Sequence, residues 1–220
     1  MKKRLLGIFL AIPLVYLVGC TQQGVRGNGH IITQSRTVSP YTTINVGSAY
    51  RVVTTVGGNK SSLTITADAN LEPYIVTQIE ENTLQITTER RYALNPSKPI
   101  LITINTPKLI AVHVSGASQM TVTGITSANF DVTVSGTSHA QFTGKTDDLQ
   151  LHVSGASDVL AKTLPAKSIE AHISGASKVT VNVSQSLTAH VSGASTLTYT
   201  GNPKNVNNRA SGASRIDHVE

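Results

Sequence analysis

The chain has 220 residues, with 18 Lys and Arg against 12 Asp and Glu, one Cys, no Trp and 4% aromatic residues. Three of the bases lie in the first four residues, so residues 20–220 hold 15 bases against 12 acids, an excess too small to argue for nucleic-acid binding. A single cysteine excludes an intrachain disulfide, and the core has to be built from Val, Ile, Leu and Ala.

Lys2, Lys3 and Arg4 precede the apolar run Leu5–Val18, interrupted only by Gly7, Pro13 and Tyr16. That run is short for a membrane span and reads as a secretory signal, residues 1–19, in preference to an uncleaved anchor helix. It ends in Leu17-Val18-Gly19-Cys20, which resembles the lipobox of bacterial lipoproteins. The resemblance implies that Cys20 receives a diacylglyceryl group and becomes the first residue after cleavage. Each buried methylene contributes about 0.8 kcal/mol, so several acyl chains hold a protein stably on a membrane. Thr21, where retained lipoproteins carry Asp, resembles the pattern of Gram-negative proteins sent to the outer membrane. The expectation is a lipid-anchored envelope protein, with periplasmic and surface display both open. Thr21–Gly29, rich in Gly and polar residues, reads as a tether.

Between His30 and Lys108 the sequence predicts irregular strands over Thr43–Val46, Tyr50–Thr55, Ser62–Thr66, Thr83–Thr88 and Ile100–Asn105. Gly57-Gly58-Asn59 and Glu81-Asn82 mark turns, and Asn70–Tyr74, with Pro73, is a helical turn. These strands fit either irregular early rungs or a small antiparallel cap, and rungs are preferred.

From Leu109 the chain repeats. Ser115-Gly116-Ala117-Ser118 recurs at Ser135–Ser138 (with Thr137), Ser154–Ser157, Ser174–Ser177, Ser192–Ser195 and Ser211–Ser214, the glycines falling 20, 19, 20, 18 and 19 residues apart. Units this small cannot bury their own apolar faces and must stack. Alternation places Ile110, Val112 and Val114 on one inward face, followed by Phe130, Val132 and Val134, and by the matching triplets at Leu149, Ile169 and Leu187. Beyond each corner a second strand supplies pairs such as Met120 and Val122, or Val179 and Val181. The pattern describes an all-β solenoid, a right-handed parallel β-helix of roughly 19–20 residues per rung, six rungs spanning roughly 25–30 Å. Corner serines Ser115, Ser118, Ser154, Ser157, Ser174, Ser177, Ser192 and Ser195 are expected to form ladders that satisfy backbone groups. Arg215, Asp217 and His218 on the last rung are expected to discourage further strand addition.

The position two residues before each corner reads His113, Thr133, His152, His172, His190 and Arg209. In register, His152, His172 and His190 form an imidazole ladder with neighbours about 4.8 Å apart, and His113 belongs to the same surface column. Imidazoles bind zinc or copper, yet parallel rings aim their nitrogens the same way and no carboxylate repeats beside them. A polar outer face is the preferred reading, with no metal and no cofactor. Polysaccharide cleavage needs clustered carboxylates, whereas Asp131, Asp147, Asp148 and Asp158 are scattered, and the adjacent pair Asp147-Asp148 reads as a solvated loop. His113 and Ser115 share a face but lack an orienting acid and an oxyanion site, so no catalytic residue is assigned.

Gly27-Asn28-Gly29, Arg36-Thr37-Val38 with Tyr41, Ile44 and Val46, Leu63-Thr64-Ile65, Ala67–Leu71 and Thr83–Ile86, followed by the Ser-Gly-Ala-Ser corners, resemble the head GIN domain family of auto-transporter adhesins (DUF2807). The likeness covers nearly all of residues 20–220. It implies an exported or lipid-anchored β-helical protein and brings no catalytic residues; the acyl anchor stands in for an auto-transporter barrel. Together these readings predict a non-catalytic adhesion or binding module contacting a polysaccharide, a host surface or another envelope protein. The alternative is a periplasmic structural protein that self-associates as a homo-oligomer, and polysaccharide cleavage is a minor third reading.

Overall fold

β-Branched residues alternate with Thr, Ser and Asn over most of the chain, which favours strands with one face buried. A computed structural model describes residues 22–220, so residues 1–19, read as a signal, and Cys20 lie outside the described residues. The described chain is all-β: fifteen strands form one mostly parallel sheet and two form a separate ribbon.

The repeats supply β10 (Ala111–Val114), β11 (Gln119–Val134), β12 (His139–Val153), β13 (Asp158–Ile173), β14 (Lys178–Val191), β15 (Thr196–Thr200), β16 (Asn205–Ala210) and β17 (Arg215–His218). Each pairs in parallel with its counterpart one repeat away: Val112 with Val132, Val132 with Leu151, Leu151 with Ala171, and Ala171 with Ala189. The long strands change register where they bend, between Val122 and Ile125 in β11 and between Ala161 and Pro165 in β13. Identical inward positions therefore stack into columns. Phe130 and Phe142 meet edge to face at 6.0 Å within a core built mostly of Val, Ile, Leu and Ala. Fully burying one such side chain contributes about 1.5–3 kcal/mol. Ile110 departs from the expected inward triplet: it is 38% exposed, and Leu109, 1% exposed, takes the core position. Regular alternation starts only at Ala111, where β10 begins, so the residue before it does not follow the pleat.

At the corners Gly116, Gly136, Gly155, Gly175, Gly193 and Gly212 have φ between +73° and +83°. A Cβ on Gly155 would lie 2.3 Å from the carbonyl oxygen of Gly136, and one on Gly175 would lie 2.2 Å from that of Gly155. Each glycine is thus required twice, by backbone angle and by close approach. The same carbonyls are the acceptors that tie the rungs together: Ala156 N–H donates to Gly136 O and Ala176 N–H to Gly155 O, both at 2.8 Å.

Before the repeats, β3 (Thr43–Val46) and β4 (Arg51–Val56) pair in parallel with β10 and β11, adding a rung whose corner is Gly47-Ser48-Ala49. Ser48 takes the glycine conformation, φ +80°, and its Oγ accepts a hydrogen bond from Thr88 N–H at 3.2 Å. Beneath it, β7 (Thr83–Thr88) and β9 (Leu101–Thr106) run parallel to β3 and β4. The end is then closed by antiparallel strands. β6 (Ile75–Glu80) pairs with β7 through a tight turn at Glu81 and Asn82, both with positive φ; β5 (Ser62–Asp68) pairs with β9; and β2 (Ile31–Arg36) pairs with β5. The preferred reading of this region as rungs holds for β3, β4, β7 and β9, while β2, β5 and β6 make the antiparallel cap. Arg36 locks the cap, donating to Glu72 Oε1 at 2.6 Å and to Ile75 O at 2.6 Å beside the 3₁₀ turn Glu72–Tyr74.

The segment read as a tether is structured from Gln23 onward. β1 (Gln23–Arg26) pairs in parallel with β8 (Tyr92–Asn95), forming the two-stranded ribbon. Ribbon and body are joined by the buried Asp68, whose Oδ1 accepts from Gly29 N–H at 2.7 Å and Ser97 Oγ at 2.6 Å, and whose Oδ2 accepts from Ser97 N–H at 2.9 Å. The Gly and Asn of this stretch serve close packing here: Gly27 lies against the Asp68 carboxylate, and Asn28 N–H donates to Asn70 Oδ1 at 2.9 Å.

Two measurements follow from this architecture. Gly155→Ala is expected to cost at least about 2 kcal/mol in denaturant unfolding, because a left-handed backbone penalty adds to a clash with a backbone carbonyl; Gly24→Ala, with open space around it, should change stability by less than about 1 kcal/mol. The hydrogen bond from Ser97 Oγ, with those from the Ser97 and Gly29 amides, holds the Asp68 carboxyl below its ordinary value of 3.8. A depressed folded value stabilises the fold above the unfolded pKa, and that contribution is lost as pH falls through the folded value. Amide exchange at Gly29 and Ser97 should therefore stay slow at neutral pH and accelerate only in acid below about pH 4. In Asp68→Asn the acceleration should already be present at neutral pH.

Candidate functional site

The outward column before the corners is set by strand register. His113 pairs with Asn45 and Thr133, Thr133 with His152, His152 with His172, His172 with His190, and His190 with Arg209. Side chains at paired positions of parallel strands share a face, so the rings of consecutive repeats lie over one another. His152 and His172 stack with centroids 5.2 Å apart and planes 5° from parallel; His172 and His190 stack at 5.1 Å and 13°. Three imidazoles thus form a continuous pile. His113 stands two rungs away with Thr133 between, outside the pile.

A shallow groove of about 570 Å³ runs beside these rings, bordered by Ser154, Ser174 and Ser192 and ending at Arg209. The two serines of each corner have different duties. The first serines edge the groove at these three rungs, whereas Ser115 donates to Val46 O at 3.2 Å. The second serines are buried and bind backbone: Ser118 Oγ donates to Ser48 O at 3.1 Å, Ser157 to Gly136 O at 3.3 Å, Ser177 to Gly155 O at 3.3 Å and Ser195 to Gly175 O at 3.2 Å. Ser177 Oγ also accepts from Ser157 N–H at 3.4 Å, and Ser195 Oγ from Ser177 N–H at 3.2 Å. They are structural ladders.

The expectation that no carboxylate repeats beside the histidines needs one addition. Glu170, two residues before His172 on the same face, approaches its Nε2 at 3.2 Å. The i, i+2 spacing was the available signal, visible only once the face was fixed. Among the described residues no group of three His, Cys, Asp or Glu is placed to hold a metal ion. In the ladder the ring planes of neighbouring imidazoles lie within 13° of parallel.

Asp147 and Asp158 each face a basic side chain. Asp147 forms an ion pair with Lys167 at 2.8 Å, and its hydrogen bond holds the Lys167 ammonium above its ordinary value. Asp158 faces His139 at 3.5 Å on a different strand segment. Asp147 and Asp148, read as a loop, lie within β12, because the strand continues through its bend. Both are exposed, between the buried Thr146 and Leu149. The pair His113 and Ser115 makes no nucleophile–base hydrogen bond, since the Ser115 hydroxyl is directed to Val46 O.

A second concavity, about 490 Å³, lies between the β1–β8 ribbon and the Ser48 corner and is lined by Tyr50, Thr88, Tyr92 and Leu94 among others. Burial pushes the Tyr50 phenol above its ordinary value, and its oxygen shares a hydrogen bond with Thr88 Oγ1. Sequence reading missed this cleft because β8 is a short excursion between two rungs with no periodic signal of its own.

Comparison with known proteins places this architecture. A crystal structure of a "putative adhesin" from Bacteroides fragilis matches with a TM-score of 0.75 at 21% identity, covering 89% of this chain and 100% of that one. A "putative lipid binding protein" and a "putative adhesin", both from Parabacteroides distasonis, match with TM-scores of 0.56 and 0.58 at 19% and 18% identity, each covering 90% of this chain and 100% of the other. At such identities the likeness is one of fold. No match was found among curated proteins. The family model described as "Putative auto-transporter adhesin, head GIN domain" matches residues 40–203, from the first parallel rung to the end of the fifth repeat, and the chain belongs to that family.

Proposed function

We propose that this is a lipid-anchored envelope protein whose non-catalytic module binds or adheres through the histidine–serine groove. In this reading residues 1–19 are removed, acyl chains on Cys20 hold the protein in the outer membrane, and the sheet coils as a right-handed parallel β-helix. Its rungs take roughly 19–20 residues, as in the pairing of Ala111 with Asp131 and of Asn129 with Asp148. The observation that carries the reading is the groove itself. His152, His172 and His190 repeat at 5.2 and 5.1 Å, each beside a serine, and Arg209 closes the row. A rigid line of identical donors and acceptors suits a linear ligand whose own chemistry repeats, and a polysaccharide is the leading candidate. Membership in an adhesin-named family supports the same direction.

A second reading has an observation of its own. Every residue of β16 is exposed, Val206 is 47% exposed, and the strand pairs only with β14, so the C-terminal edge can add a strand from another copy. The expected inhibitors of addition are partly engaged elsewhere: Arg215 pairs with Asp217 at 2.9 Å, and His218 stacks on Tyr199 at 4.7 Å.

Protease treatment of intact cells carrying a tagged full-length chain tests the placement, with digestion expected. Protection until permeabilisation would remove the adhesin reading and leave the periplasmic structural one. On a panel of linear polysaccharides the purified protein should bind at least one, and His172→Ala with His190→Ala should weaken that binding by about tenfold or more. A sedimentation mass rising with concentration would favour self-association.

A further inference from the structure

The charge of the chain is unevenly placed. Segments 22–30 and 89–100, which make the β1–β8 ribbon and its flanks, contain Arg26, Arg90, Arg91 and Lys98 against Glu89 alone, with His30 beside them. The other residues from 20 onward hold eleven bases and eleven acids, so the whole net positive charge after the signal segment belongs to the ribbon. All four cations are exposed, and none makes an ion pair with a described residue, unlike Arg36, Lys167 and Arg215.

The ribbon is also held firmly. Gln23 N–H donates to Arg91 O at 2.8 Å, Gly27 N–H donates to Asn95 O at 2.9 Å, and Asn70 Nδ2 donates to Arg26 O at 2.8 Å. Together with the Asp68 junction, these bonds fix the backbone of Arg91 at one end of the ribbon and of Arg26 at the other. Val25, Tyr92 and Leu94 are half-buried, while Gly24, Arg26, Ala93 and Asn95 are exposed, so one side of the ribbon packs on the body and the other is bare. Only Thr21 and Gln22 separate Cys20 from β1. Three extended residues span at most about 11 Å, close to the distance over which exposed charges act in physiological salt.

We propose that the β1–β8 ribbon and its flanks, with their exposed Arg26, Arg90, Arg91 and Lys98, dock on anionic phospholipid headgroups, seating the N-terminal end of the stack on the membrane that holds Cys20. The inference rests on the anchor reading above. Acyl chains supply attachment and the cations supply orientation, because Lys and Arg beside an anionic bilayer are drawn to its surface. The histidine groove, built by later rungs, is then held away from the headgroups with its Arg209 end outermost.

The test uses residues 20–220 with Cys20→Ser, which removes acylation and leaves the described structure intact. Co-sedimentation with phosphatidylcholine vesicles, with and without phosphatidylglycerol, should give at least about tenfold stronger binding to the anionic vesicles, declining with salt. Replacing Arg26, Arg90, Arg91 and Lys98 by Gln should abolish that preference. Replacing the exposed Lys145, Lys162, Lys178 and Lys204 by Gln, an equal loss of charge, should leave most of it. Equal affinity for both vesicle types, or equal loss in both quadruple variants, overturns the proposal. The anchor reading is judged separately by the mass of the protein recovered from cells: an unmodified Cys20 would refute it without altering the vesicle result.

Discussion

Everything in this structure depends on the contact between successive corners. Each corner glycine lies so close to the carbonyl oxygen of the corner below that a Cβ has no room, and that same oxygen accepts the next rung's N–H and the buried serine hydroxyl. Register between rungs is thereby fixed at one residue. A slip of one place would put a side chain on a carbonyl, strand the serine ladder and turn the aliphatic columns outward. Core filling alone could not impose this, because columns of Val, Leu and Ile accept one another in several registers. The imidazole pile is a by-product of the same lock: the rings superpose because their backbones do.

The exception at Ser48 confirms the logic. It adopts the corner glycine's conformation and carries a side chain, which is possible because the rung beneath it has no Ser-Gly corner. There β7 leads instead into the excursion that contains β8, and the Ser48 hydroxyl meets the Thr88 amide. The place where the glycine rule lapses is the place where the regular stack ends and the ribbon begins.

Legibility in the sequence followed the repeat. The parallel pairing, the inward triplets after Ile110 and the pile of His152, His172 and His190 were readable because period-two alternation and an even glycine spacing constrain each other. Thr83–Thr88 was located to the residue, since its turn at Glu81 and Asn82 marks its start. What escaped reading was non-local. β1 looks like linker because its few side chains say little, and it becomes a strand through partners at Tyr92–Asn95 and through Asp68, far along the chain. Asp68 gave no signal as a junction, for a lone acid at a strand end is ordinarily solvated. Ile110 was misplaced because alternation was extended one residue beyond the strand that enforces it.

The direction of the hydrogen bonds has a mechanical consequence. In the repeat region the inter-rung bonds run along the stacking axis, from Ala156 to Gly136 and from Ala176 to Gly155. Tension applied between the two ends of the stack would load these rows in series, every rung carrying the same force. Rows within a rung would share that force in parallel, so the molecule resists as a stack of multi-stranded links. The weakest link would be the outermost, where β16 has no neighbour beyond it and its residues are all exposed. Failure under load would begin by peeling that last rung, lengthening the molecule in a discrete step while the rungs nearer the N-terminal cap keep their form.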